Sequence, residues 1–357
     1  MKILIISTVR PHKGSGSGFT EYAYQLIKHL RPLLSKSDSI SNLYALGTVK
    51  KENITGFIYT NTAFKRKLSA IPKQEYDIIH ITDQEVGFAA KILKKLHIKA
   101  KIVTTIHDLA RFEKGLHKGI AEKAYNQLVK KSVTDAIRYS DYILCNSTQT
   151  YKTLKERFPW VNDISIVQYG IDDRILNEKK HSKVSKEFII GYLGALSYHK
   201  NVIFILETAK LLRDNKKYKF VIYGTGAEER NLLGFKKKNN LQNVLFKGYV
   251  ADRNRAKIYD EFDAFMFPSM YEGLGLPILE AQSRGIPVII CMKGRIPSDT
   301  QKYCIKVISA DGAARLIKNL NNGRYSKNKY QDAIAYARGF EWSKCANRTF
   351  NLYKAIH

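Results

Sequence analysis

Cysteine is rare in this chain. The four present, Cys145, Cys291, Cys304 and Cys345, lie far apart with no CxxC pair, which excludes a disulfide framework or a paired-thiol zinc site and suits a reducing compartment. Long hydrophobic runs are missing too. MKILIIST breaks off into a proline and glycines and reads as a first buried strand, and no stretch approaches the length of a membrane-spanning helix. No low-complexity tract or fixed-period repeat occurs. Acid is scarce: 32 Asp and Glu face 60 Lys and Arg, giving a formal net charge of +28. Such an excess draws in nucleic acid, anionic lipid or phosphorylated small molecules without choosing among them. For a nucleic-acid binder, an RNP-type aromatic motif, a zinc finger and a dense basic arm are all lacking. Single basic runs such as Lys65-Arg66-Lys67, Lys94-Lys95 and Lys236-Lys237-Lys238 read as solvated helix faces.

What remains is a globular α/β chain. Its 357 residues exceed one ordinary core and suit two domains, and 44% hydrophobic content supplies the apolar surface to fill them. KILIIS, YDIIHIT, KIVTTIH, DYILCNS and DISIVQYG read as strands, with amphipathic helices before or between them. A polar break, NEKKHSKVSKE at 177 to 187, is expected to link the domains. The cycle then restarts with EFIIGYLG, KFVIYG, NVLFKGYV, DAFMFPS and IPVIIC. The predicted architecture is two doubly wound parallel-sheet domains, over 1–176 and 188–341, and a last amphipathic helix at 342–357 that pattern alone assigns to neither.

Ligands of open parallel sheets sit at the carboxyl ends of strands, where the unusual residues of this chain cluster. After the first strand come Gly14, Gly16 and Gly18, ahead of a helix start that can attract phosphate. Their GxGxG spacing is not that of a dinucleotide site, and a plain flexible loop competes with the phosphate reading. His107 and Asp108 end KIVTTI; the histidine is either a satisfied core or turn residue or a hydrogen-bonding group for a polar substrate. In the second half Gly194 ends a strand, Lys200 precedes a helix and can offer its ammonium to a phosphate, and Gly224 and Gly226 allow another close backbone approach. The most informative run is YEGLGLPILE at 271 to 280. Pro277 suits the first turn of a helix, so the amides of Gly273, Leu274 and Gly275 can face an anion. Glu280, expected in that first turn, can accept from two neighbouring hydroxyls such as a ribose offers, with Glu272 reaching another hydroxylated part of the ligand. The competing reading is that Glu280 only complements the helix dipole.

Together the two-halved chain, the SxxEGxGxPxxEA run, the GALxxxKN segment and the glycine loop resemble the retaining glycosyltransferases of family 4, of GT-B architecture. The likeness extends through TTIHDL, VQYGID, KGYV and FEWSKCANRTFNLY, over almost the whole chain. It implies two Rossmann-like domains facing each other across a cleft, with the closing helix returning to the first. It implies that Glu272 and the amides of residues 273 to 275 contact the donor sugar, that Glu280 holds the ribose, that Lys200 binds the pyrophosphate and that His107 bonds the transferred sugar. The loop from Gly14 through Gly16 to Gly18 would close over phosphates and acceptor, and Val250 would border the base. Two features depart from the family. Its usual arginine is replaced by Ala195, for which Lys293 or Arg295 are candidate substitutes, and CMKGRIPSD lacks the usual glycine-rich form.

The reaction implied is metal-independent, retaining transfer of a hexose from UDP- or GDP-hexose, with fixed dipoles and cations stabilising the leaving diphosphate and no protein nucleophile. No cofactor is expected beyond this co-substrate. A glycan or polyprenyl-linked glycan acceptor fits the basic charge, with KRKLSAI and AAKILKKLHIK able to rest on an anionic membrane from the cytoplasmic side. Two other readings stand beside it: a non-catalytic GT-B binder of glycan or nucleotide, and a basic polyanion-binding protein.

Overall fold

Short runs of Ile, Val and Leu, buried on both faces in the central strands, help build two wholly parallel sheets of six strands each. The computed structural model describes residues 1–10, 18–46, 54–113, 120–183, 185–323 and 327–357. Its chain divides into two units, Met1–Gly170 with Trp342–His357, and Ile171–Glu341.

The first sheet comprises β1 (Lys2–Val9), β2 (Ser39–Leu46), β3 (Ile78–Ile81), β4 (Lys101–Ile106), β5 (Tyr142–Cys145) and β6 (Ile164–Ile166), in the order β2-β1-β3-β4-β5-β6. Residues 3 to 9 of β1 and all of β3 are buried. Strand β2 was not among the expected strands. It lies at the sheet edge, only Ala45 of it is buried, and a half-solvated edge needs no continuous apolar run.

The second sheet comprises β7 (Phe188–Leu193), β8 (Tyr218–Tyr223), β9 (Val244–Gly248), β10 (Ala264–Met266), β11 (Val288–Cys291) and β12 (Ile305–Val307), in the order β12-β11-β10-β7-β8-β9. The order reverses between β7 and β10, and this reversal is the switch point where open parallel sheets hold ligands.

The domain boundary differs from the sequence expectation. Ile171 is fully buried and its amide donates to the Phe340 carbonyl at 2.9 Å. The presumed linker is bonded to the second unit: the Lys180 ammonium donates to the Arg284 carbonyl at 3.0 Å, and the His181 amide to Asp260 at 2.8 Å. Its polar residues serve as edge contacts, which composition alone cannot distinguish from solvation.

The closing helix, Trp342–Ile356, packs on the helix Gly18–Leu30 within the first unit. Trp342 stacks on Tyr169 with centroids 5.7 Å apart, and the buried Tyr353 hydroxyl bonds His80 Nδ1. The two basic segments expected at a membrane also turn their apolar sides inward. Leu68, Ala89, Ala90 and Leu93 are fully buried, Lys94 is paired with Asp141 at 2.7 Å, and Lys91 faces Asp135 at 3.6 Å. Among the described residues no helix is long and apolar enough to cross a membrane.

Candidate functional site

At the switch point of the second sheet, two loops are stitched together. The loop after β7 ends in a short 3-10 turn, Tyr198–Lys200, and Asn201 follows in the left-handed conformation with φ of 53°. Its His199 carbonyl accepts from the Met270 amide at 2.7 Å, and the Asn201 side-chain amide donates to the Pro268 carbonyl at 3.2 Å. Lys200 then closes on Glu272: its ammonium lies 2.7 Å from Oε1 of a carboxylate that is 10% exposed. From behind, Arg295 holds the same loop through backbone bonds to Met270 at 2.8 Å and Glu272 at 3.1 Å.

This loop runs into the helix Leu276–Ser283. Gly275 is its N-cap at φ of 87°, a left-handed conformation that favours glycine, and Pro277 sits in the first turn. Among the described residues none of the amides of Gly273, Leu274 and Gly275 donates a hydrogen bond. Three unengaged donors beside a lysine, ahead of a helix start, are chemically suited to face an anion.

Glu280 lies one turn further in than the sequence suggested, since the helix begins at Leu276 and its first turn contains no acid. The dipole of the helix start therefore does not explain it. Its carboxylate is 3% exposed, and Oε2 accepts from both the Arg255 guanidinium and the Tyr259 hydroxyl, the latter at 2.6 Å. No described bond reaches Oε1. Burial pushes the Glu280 carboxyl up from the ordinary range, against the pull of Arg255 and Tyr259, while Asp172 and Asp252 add to the rise. For Arg255 burial works against the charge, but Glu280, Tyr259 and Asp252 together more than restore it, so its pKa is raised. Arg255 is the cation that favours the ionised carboxylate, since a guanidinium keeps its proton in a protein and Glu280 is its nearest counter-charge. Arg255 and Tyr259 carry no motif signal. Only their spacing of four on the helix Arg255–Asp260 hinted that they share a face.

The remaining glycines serve the chain itself. A Cβ on Gly224, which has φ of 132°, would stand 1.8 Å from the Gly194 carbonyl oxygen, and one on Gly226 would stand 2.4 Å from the Leu196 carbonyl oxygen. The close approach expected toward a ligand is thus between two loops. The Gly194 and Gly224 amides are also taken, by Tyr223 and Gly248 carbonyls at 3.1 and 2.8 Å. Ala195 is exposed and its carbonyl accepts from the Tyr192 hydroxyl at 2.8 Å. Val250 is half-buried beyond β9, against the unit's core. Of the two candidate substitute cations, Arg295 is tied by its backbone to the Glu272 loop. Lys293 instead lines a cavity of about 690 Å³ with Asn201, Phe204 and Ile308, and neither Lys200, Glu272 nor Glu280 lines it.

In the first unit, His107 corrects the sequence reading. Its Nε2 lies 2.7 Å from the Thr82 carbonyl, which can only accept, so Nε2 carries the proton and Nδ1 accepts from the Tyr169 hydroxyl at 2.6 Å. Neither ring nitrogen is left for a sugar. Burial depresses His107 to about 4, opposed by its bond to Thr82, and depresses the neighbouring His80 to about 3, with the His107 charge as the lesser cause. The alternative, a satisfied core histidine, is the one realised. Gly14 and Gly16 lie outside the described residues. Gly18 opens the first helix, with nothing within 4 Å of an added Cβ.

The sequence matches the family described as Glycosyl transferases group 1 over residues 173–340 and Glycosyltransferase Family 4 over residues 37–174. It is 27% identical to an O-antigen chain mannosyltransferase B of Escherichia coli over 46% of this chain and 45% of that protein. It is 28% identical to a UDP-Gal:alpha-D-GlcNAc-diphosphoundecaprenol alpha-1,3-galactosyltransferase of Escherichia coli, over 62% of this chain and 59% of that protein. The chain thus spans less than two thirds of the length of these two relatives. An uncharacterised glycosyltransferase of Methanocaldococcus jannaschii is 23% identical over 88% of this chain and 84% of its own length. Among solved structures, a sucrose-phosphate synthase of Thermosynechococcus elongatus superposes with a TM-score of 0.74 at 18% identity, covering 99% of this chain and 98% of that one. The Anabaena protein HepE in complex with UDP and glucose does so with a TM-score of 0.74 at 15% identity, covering 99% and 100%.

Proposed function

Because the chain belongs to the family 4 glycosyltransferases and has the GT-B fold, we propose that it moves a hexose, with retention and without a metal, from a UDP- or GDP-hexose to a hydroxyl of a lipid-linked glycan. The observation that carries this reading is the meeting of Lys200 and Glu272 beside three unengaged amides at the switch point of the second sheet. The glucose- and UDP-bound structural neighbour supports a nucleotide-sugar donor, and the diphosphoundecaprenol-linked relative supports a lipid-linked acceptor.

As the sugar departs, negative charge builds on the nucleoside diphosphate. Lys200, released from Glu272 by the stronger anion, and the amides of residues 273 to 275 meet that charge with dipoles already in place, usually the largest catalytic term. Glu272 then orients the sugar, Glu280 holds the ribose through its open oxygen, and Val250 borders the base by its backbone. The departing phosphate takes the proton of the acceptor hydroxyl, so no protein base is required.

A donor screen tests this reading. UDP- or GDP-hexose should raise the melting temperature of the protein, because a ligand that binds only the folded state adds to its stability, and the Lys200→Ala variant should lose most of the shift. Equal shifts in both proteins would refute the role of Lys200.

A further inference from the structure

We propose that Arg255 is a positioning residue of the nucleotide-sugar site: with Tyr259 it fixes one oxygen of Glu280 and so presents the other, charged, to the two ribose hydroxyls of the donor. The inference rests on the reading of Glu280 as the ribose contact.

The geometry is one-sided. A guanidinium that served only as a buried counter-ion would close its fork on both carboxylate oxygens, the bidentate arrangement that makes arginine pairs strong. Here Arg255 and the Tyr259 hydroxyl both converge on Oε2, and no described bond reaches Oε1. The Arg255 Nε is buried and donates to nothing among the described residues. The pair therefore leaves one carboxylate oxygen open, and that oxygen is not among the buried polar atoms without a partner, so a ligand can reach it.

The charge also has to be defended. Glu280 lies beyond the first helical turn, outside the reach of the helix dipole. Asp172 and Asp252 both repel it. Asp172 carries its own cation in Arg174, and Asp252 is 4.0 Å from Arg255. The next cation along the same helix, Arg284, is closed on Asp260. From the other helices packed there, Arg338 donates to the Leu176 carbonyl, and Tyr336 donates to the backbone carbonyl of Asp299. Arg255 is thus the cation in contact with Glu280, and its loss would leave a buried carboxylate among acids.

The test compares UDP and GDP, each beside its 2′,3′-dideoxy counterpart, by calorimetric titration from pH 5 to 8. The wild-type protein should prefer the ribose form of the nucleotide it binds by about tenfold or more at every pH, since a bidentate contact is lost with the hydroxyls. In Arg255→Leu the preference should shrink several-fold, most of all at pH 5, where the unsupported carboxylate takes up a proton. The Arg255→Leu/Glu280→Gln double variant should show no pH dependence of the preference. Arg255→Lys keeps the charge without the planar fork and should retain a flat pH profile with a reduced preference, so the test survives if the leucine variant does not fold. A wild-type protein that ignores the ribose hydroxyls would overturn the assignment of Glu280 and this inference with it. A wild-type preference that persists unchanged in the folded Arg255 variants would overturn the inference alone.

Discussion

Lys200 and Glu272 neutralise each other at 2.7 Å in a partly buried site, so the cation proposed to meet the diphosphate is held against a carboxylate. The site was half legible. The run EGLGLP announced its own helix start, because left-handed glycine and first-turn proline are local requirements of the backbone. The partners of Glu280 come from a helix more than twenty residues earlier, a tertiary approach that no local pattern records. The close approaches at Gly194, Gly224 and Gly226 were legible but not their partners, because a glycine marks a close approach, not what approaches. At Gly224 it is the Gly194 carbonyl oxygen, 1.8 Å from where a Cβ would stand, and φ is 132°. Gly224→Ala should cost about 2 kcal/mol or more, roughly 5 °C in the unfolding midpoint. A circular-dichroism melt that coincides with wild type would show that the two loops are not packed as described.

At the scale of elements, the first unit is closed by its terminal helix through a buried hydrogen bond, Tyr353 to His80, and a ring stack, Trp342 on Tyr169. Both His80 and His107 are held neutral, at about 3 and about 4 against an ordinary 6.5. In acid the unfolded chain binds these protons and the folded unit does not, so the stability they contribute is complete above pH 6.5. It falls as the pH drops toward those values, by about 1.4 kcal/mol per pH unit for each ring. The carboxylates Asp38 and Asp77, whose pKa is lowered from 3.8, lose their contribution only below that value. Both tryptophans of the chain, Trp160 and Trp342, lie in this unit. Their fluorescence during urea unfolding should therefore show a lower midpoint at pH 5 than at pH 7, with a shallower pH dependence in His80→Gln. Equal midpoints at the two pH values would contradict the buried neutral rings. Central strands such as β1 and β3 were legible because burial on both faces demands continuous apolar runs. The edge strand β2 and the three-residue β12 were missed because neither needs one.

At the scale of the whole molecule, the net charge of +28 was legible as an attraction to anions but not as a membrane-binding face. Helices whose apolar sides are buried in the first unit keep only charge for an anionic surface. Binding to phosphatidylglycerol vesicles should accordingly disappear at 0.5 M salt, where the screening length is only about 4 Å. Retention at that salt would point to an inserted apolar face. Sugar transfer from a site built of Lys200, the 273 to 275 amides and Glu280 is tested most directly by the release of nucleoside diphosphate from UDP- and GDP-hexoses in the presence of EDTA. The wild-type protein should release it from one of the two donor classes, and Lys200→Ala and Glu280→Gln should each slow release at least tenfold, about 1.4 kcal/mol. Undiminished release by both variants, or release that requires an added divalent metal, would contradict the account.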